Sequence, residues 1–151
     1  MPCSVVIPCH DGAALTRACV ASLLAQRGGP PAEIVLVDNA SRDDTASLAA
    51  IAPNVRVVRL AHNRGFAGGV NAGIRAAKAD LVLVLNNDTR AAPNLLAELT
   101  AVLEADARIG ACAPVSNHVK GEAWLPVGDV GRDDAARRRL AAALRDEPRV
   151  Q

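Results

Sequence analysis

The chain has 151 residues, half of them hydrophobic, and 17 basic against 16 acidic side chains give a net charge of +1. A domain of this length buries roughly 70% of the surface its unfolded chain exposes, and the composition excludes a disordered chain, a collagen and a long coiled coil. The near-neutral charge excludes a basic nucleic-acid binder and a polybasic membrane tether.

Phe66 and Trp124 are the only aromatic residues, so the core must be aliphatic. Ser4-Val5-Val6-Ile7 reads as a first buried strand within 2–8, and Pro8-Cys9-His10-Asp11-Gly12 breaks it. Leu15, Cys19, Ser22 and Leu23 recur at helical spacing over 13–26, and Gly28-Gly29-Pro30-Pro31 stops that helix. Ile34–Val37 predicts a second strand ending at Asp38. Ser41 with Asp44 marks the next helix start, with Leu48 and Ile51 on its apolar face. Val55–Leu60 predicts a third strand, and Ala67–Ala79 a small-residue helix with Val70 and Ile74 inward. Leu81–Leu85 is a fourth strand, Pro93–Ala105 a helix with Leu95, Leu96, Leu99, Val102 and Leu103 on one face, and Ile109–Val115 a fifth strand. Beyond Val115 the periodicity fades, apart from an Ala/Arg-rich helix expected over 133–144.

This cadence predicts βαβ units: an α/β chain with a mostly parallel sheet sandwiched by helices. Continuous apolar strands fit a sheet covered on both faces. Ligands in such folds sit outside the carboxyl ends of the strands. The exits to inspect are therefore Cys9-His10-Asp11, Asp38-Asn39, 62–66 and Asn86-Asn87-Asp88.

No apolar run approaches the ~18 residues of a membrane helix, and Asp11 comes too early for a signal peptide. A cytoplasmic protein without a transmembrane segment is expected. Cys3, Cys9, Cys19 and Cys112 form no Cys-x-x-Cys pair and no zinc spacing, so they are expected as reduced, packed thiols.

No P-loop motif is present, and no G-x-G-x-x-G follows the first strand. The glycines at 65, 68, 69 and 73 follow the third strand instead. They serve either close helix–sheet packing or a backbone lying against a diphosphate. Asp38 can accept from a base N–H or ribose hydroxyl, or cap the next helix. Asn86-Asn87-Asp88 can hold a divalent cation, since Mg²⁺ needs only one or two carboxylates beside substrate phosphates, or can simply form a turn.

Taken together, Ser4–Pro8, Glu33–Ser41, Asn63–Gly73 and Leu83–Thr89 resemble, in order and spacing, the family 2 glycosyltransferases of Rossmann-like GT-A fold. The match runs over residues 3–117, and Ala113–Asn117 resembles the bacterial rhamnosyltransferase-like branch. The resemblance implies inverting transfer of a sugar from a UDP- or dTDP-linked donor to a glycan or lipid-linked acceptor. It places bacterial polysaccharide synthesis in the cytoplasm or at the inner membrane face. It implies that Pro8, Cys9, His10 and Asp11 line the nucleoside pocket and that Asp38 and Asn39 bind base or ribose. Gly65 to Asn71 would border ribose and diphosphate. Asn87 and Asp88 would end a DXD-like motif, with Asp88 the carboxylate directed at Mg²⁺ or Mn²⁺.

The family's base lies in a later acidic motif. The late acids Asp129, Asp133, Asp134, Asp146 and Glu147 lack its Glu-Asp context, so the catalytic base is expected beyond Gln151. The resulting organisation is a donor-binding core over 1–117, then 118–151 as the start of an acceptor-side half that the chain does not complete. A fold cut there is expected to self-associate through the region after Ile109. The alternative is a non-catalytic nucleotide-binding or assembly module of the same fold. A nucleotidyltransferase is disfavoured, because 8–12 lacks a basic glycine-rich loop.

Overall fold

The computed structural model describes residues 1–114, which fall into two compact units, 1–91 and the part that follows Ala91. The first unit is a four-stranded parallel sheet. Its strands are β1 (Cys3–Cys9), β2 (Glu33–Asp38), β3 (Val55–Arg59) and β4 (Leu81–Val84), in the order β3-β2-β1-β4. Helix α1 (Ala13–Leu24) links β1 to β2, a 3₁₀ helix (Asp44–Ala50) links β2 to β3, and α2 (Gly65–Ala76) carries the chain back across to β4. The predicted Rossmann-like, mostly parallel arrangement is the observed one.

The order reverses between β1 and β4, the position where such sheets open a crevice. Successive side chains on a strand point to opposite faces, so Cys3, Val5, Ile7 and Cys9 share one face of β1 and Ser4, Val6 and Pro8 the other. Helix α1 buries Thr16, Cys19, Val20 and Leu23. This i, i+3, i+4, i+7 stripe leaves Leu15, expected inside, 54% exposed. Helix α2 covers the opposite face of the sheet. A Cβ built on Gly73 would overlap Val6 Cγ1 and stand 2.9 Å from Val37 Cγ2, and one on Gly69 would stand 3.2 Å from Pro8 Cβ. The glycine run is therefore first a packing device. It brings helix backbone onto β1 and β2, around Val6, Val35 and Val37.

That contact sets the rotation of α2 and corrects a second expectation, since Ile74 is exposed. With Gly69 and Gly73 against the sheet, Ile74 turns outward. Both faces of β1 and β2 are buried, but β4 alternates. Val82 and Val84 lie beside Ser4 and Val6 on the α2 face, yet remain 36% and 39% exposed. Among the described residues the expectation of continuous cover thus fails at β4, because α2 packs toward β2 and leaves that face of β4 open.

The second connection is a 3₁₀ helix capped by Asp43, whose Oδ1 accepts from the Thr45 N–H at 3.0 Å, so the element starts after Ser41 rather than at it. In the second unit, α3 spans Leu95–Ala105, with Leu96 buried and its neighbours on the stripe half-buried. The fifth strand does not form over the described residues 109–114. Asp106 receives the Arg108 N–H and guanidinium, and Ile109 N–H closes a turn on the Asp106 carbonyl. That local geometry competes with an extended chain. Val115, the segment 118–151 and all the late acids lie outside the described residues.

Candidate functional site

Two side-chain networks tie the strand exits together. Asn39 organises the first. Its Nδ2 donates to the Gly65 carbonyl at 3.0 Å and its Oδ1 accepts from the Arg64 N–H at 2.8 Å. Its own carbonyl lies 3.0 Å from His10 Nδ1, so that ring nitrogen carries the proton. The Asn39 amide is thus consumed in fastening β2 to the loop that opens α2. Asn39, His10 and Gly65 are brought together, with Asn39 buried and the other two exposed.

The second network centres on Asp11, which holds a left-handed φ of 61°. Its N–H donates to Ser41 Oγ at 3.0 Å, and its Oδ1 accepts from the Arg42 N–H at 2.7 Å. Asp43 accepts the Ala13 N–H at 2.8 Å. Hydrogen bonds from the Thr45 hydroxyl and the Ala13 N–H hold the Asp43 carboxyl below its ordinary range. Across the β1/β4 crevice, Asn87 Nδ2 donates to Thr16 Oγ1 at 3.1 Å and to the Asp11 carbonyl at 3.3 Å. Asn87 therefore pins the β1 exit to β4. The Thr89 N–H to Asn86 carbonyl bond of 3.2 Å confirms the turn at 86–89.

Asp38 differs from these. It is 1% exposed at the end of β2. Its Oδ1 accepts the Ser41 N–H at 2.7 Å, whereas its Oδ2 is buried without a hydrogen bond. Arg59 Nε stands 3.5 Å from Oδ2, close enough for an ion pair yet making no hydrogen bond. An unmet buried polar atom costs about 1–3 kcal/mol, more when charged. A group left so at a strand exit is one that a ligand donor can satisfy.

The remaining expected residues spread out. Pro8 faces Gly69, and Asn71 is exposed along α2 without joining either network. The Cys9 thiol points into the core and is pushed up to about 11 by burial; Cys19 is pushed to about 12 in the same way, and its Sγ donates to the Asn86 carbonyl at 3.6 Å. All four cysteines are free, as expected. Asp88 is exposed, and no cluster of three or more His, Cys, Asp or Glu side chains suited to a metal occurs among the described residues. A lone exposed carboxylate fits a hard divalent cation only where substrate phosphates and water complete the shell, which is the normal Mg²⁺ arrangement.

Sequence reasoning missed Ser41 and Arg59 as parts of the site. Arg59 closes β3 and pairs in register with Asp38 closing β2. An arginine ending one strand and an aspartate ending another was the available signal, and only the adjacency of the two strands joins them.

The model of glycosyl transferase family 2 matches residues 4–141. The chain belongs to glycosyl transferase family 2. It is 38% identical over 93 residues to the succinoglycan biosynthesis protein ExoO of Rhizobium meliloti, covering 60% of this chain and 26% of that protein. An N-acetylglucosaminyltransferase of Mesorhizobium japonicum is 29% identical over 127 residues, covering 80% of this chain and 30% of that protein. The chain thus spans about a quarter to a third of these relatives. Among solved structures, the mannosyltransferase PcManGT from Pyrobaculum calidifontis, in complex with GDP-Man and Mn²⁺, superposes with a TM-score of 0.64 at 27% identity over 74% of this chain and 35% of that one. S. aureus TarS 1-349 superposes with a TM-score of 0.62 at 25% identity, covering 70% of this chain and 33% of that chain. The four-stranded sheet is accordingly part of a GT-A fold.

Proposed function

We propose that this chain binds the nucleoside diphosphate of a sugar donor at the carboxyl ends of β1, β2 and β4, as the donor side of an inverting glycosyltransferase. The observation that carries the reading is Asp38 Oδ2, a buried carboxylate oxygen without a hydrogen bond in a family 2 chain. A base N–H can supply the missing donor, and a UDP- or dTDP-linked sugar presents one. His10, with Nδ1 fixed on the Asn39 carbonyl, holds its ring at the mouth of the same exit. The backbone around Gly65 lies beside it, positioned by Asn39.

Asp88 would hold Mg²⁺ or Mn²⁺ at the turn after β4, and such a cation stabilises the negative charge of a departing diphosphate as a Lewis acid. The neighbour solved with GDP-Man and Mn²⁺ supports metal use. Cys9 lies too deep for its thiol to touch a donor. Asn39 and Asn87 act by holding the loops, since their amides are spent on backbone and on Thr16. No general base is assigned among the described residues. The acceptor is proposed as a glycan or lipid-linked glycan, in line with the name of the succinoglycan relative.

Calorimetric titration of the 151-residue chain with UDP, dTDP and GDP, each with and without Mn²⁺, tests the reading. Binding of UDP or dTDP that Mn²⁺ tightens is the expected result. If no nucleoside diphosphate binds under either condition, the reading fails and a purely structural module of the same fold replaces it.

A further inference from the structure

Arg59 has no role in the reading above, yet among the described residues it forms an ion pair with Asp38 Oδ2, the buried carboxylate oxygen left without a hydrogen bond. Its Nε lies 3.5 Å from Asp38 Oδ2, and its Nη2 lies 3.5 Å from the Ser41 carbonyl that it donates to. Neither contact is tight, and the side chain is 62% exposed. Arg59 also lines a cavity of about 370 Å³ with Ala40, Ser41, Leu60 and Ala61, at the carboxyl ends of β2 and β3. That volume lies at the lower end of small-molecule sites, roughly 300–1,000 Å³.

We propose that Arg59 is a specificity-determining residue for the nucleobase, covering Asp38 in the free chain and turning to a base carbonyl when a base N–H takes Oδ2. This rests on the donor-binding reading and deepens it. The chemistry of the pair dictates which base edge fits. Oδ1 already accepts the Ser41 N–H, so Oδ2 is the Asp38 oxygen left without a hydrogen bond. The guanidinium beside it offers only donors. Together they complement one N–H flanked by a carbonyl, the imide edge of uracil or thymine. With the guanidinium set on O4 of uracil or thymine, cytosine presents a ring-nitrogen lone pair to the carboxylate and its 4-amino group to the guanidinium, so both contacts become repulsive. Guanine has the N–H and carbonyl, but its adjacent amino group finds no second free oxygen.

UDP and CDP isolate this edge, because they share sugar, diphosphate and ring size. Titration of the 151-residue chain should show UDP binding at least about tenfold more tightly than CDP, the worth of one hydrogen bond to a charged group. Arg59→Ala should narrow the UDP:CDP ratio about tenfold, mainly through lost UDP affinity. Arg59→Lys keeps the charge without the planar fork and should fall between. Loss of positive charge alone would weaken both ligands equally and leave the ratio intact. The exposed side chain can be removed without opening the core, and circular dichroism and melting temperature check that. An unchanged ratio in Arg59→Ala, with UDP still bound, overturns the role of Arg59 while the donor reading stands. Equal affinity of the parent for UDP and CDP overturns the edge reading. Failure of every nucleoside diphosphate to bind removes the donor reading itself, and this inference with it.

Discussion

Strand β2 begins and ends on a buried carboxylate, and the two ends are built to opposite rules. Glu33 at the start is fully met. Its Oε1 accepts from Ser4 Oγ at 2.7 Å and from the Lys78 N–H at 2.5 Å, and its Oε2 accepts from Arg56 Nε at 2.9 Å. Burial pushes its carboxyl up, but the bonds from Ser4, Arg56 and Lys78 outweigh that and hold it below its ordinary value. Ser4 Oγ also accepts the Ala79 N–H at 3.0 Å, and Arg56 Nη2 reaches the Ala76 carbonyl, so the cluster seals the end of α2 to the sheet. Asp38, five positions along the same strand, keeps one oxygen unmet and faces the strand exits. A buried ionic group with all partners in place serves stability. One with a partner withheld is stability forgone where a ligand can supply the missing bond.

The largest expected effect lies at the satisfied end. Glu33→Ala leaves a half-buried guanidinium, a backbone N–H and a hydroxyl without their acceptor, and should destabilise the chain by roughly 2–3 kcal/mol. Denaturant unfolding measures it, and UDP affinity of the folded fraction should be unchanged. A fall in affinity at unchanged stability would break the contrast.

Asp38→Asn should do the reverse. Its Oδ1 still accepts from Ser41 and the exposed Arg59 stays solvated, so stability should be equal to the parent or slightly higher. UDP affinity should drop about ten- to a hundredfold, the range for a hydrogen bond to a charge. Equal UDP affinity in the two proteins would remove Asp38 from the site.

Helix α2 offers a graded test along its length. Gly73→Ala forces a methyl into Val6 and Val37 and should cost roughly 1–3 kcal/mol. Gly69→Ala, whose Cβ would meet Pro8 at 3.2 Å, should cost less. Equal costs would mean that α2 is not pressed most tightly at the Gly73 end.

Asp88→Ala should remove the tightening of UDP by Mn²⁺ and shift stability by less than about 0.5 kcal/mol, as for an exposed side chain. Retained Mn²⁺ enhancement would move the metal elsewhere. The smallest effect is on pH. Because the folded Glu33 carboxyl titrates below its ordinary value of 4.5, its contribution is complete above that value and is lost as pH falls through the lowered one. The acid limb of a stability–pH profile should therefore flatten in Glu33→Gln.

Much of this was legible in the chain itself. Apolar runs bounded by residues such as Pro8, Asp38 and Asp80 predicted four strands, and their alternation with helical periods predicted the parallel sheet. Composition and periodicity act locally, and they sufficed to place Asp38, Asn39 and Asp88 at strand exits. The sequence by itself determined which residues stand at the ends of strands. Only the tertiary structure decided what each of them touches. Whether Leu15 or Thr16 faces inward depends on the rotation of a helix against its sheet. Ile74 turned outward because Gly69 and Gly73, without side chains, let α2 sit closer than any apolar residue would. Asn39 and Asn87 became clasps rather than free donors because loops distant in sequence put backbone groups within their reach. Arg59 met Asp38 because β3 lies beside β2 in register. These are contacts between segments some 20 to 75 residues apart, and no local pattern encodes the partner of a hydrogen bond made across a sheet.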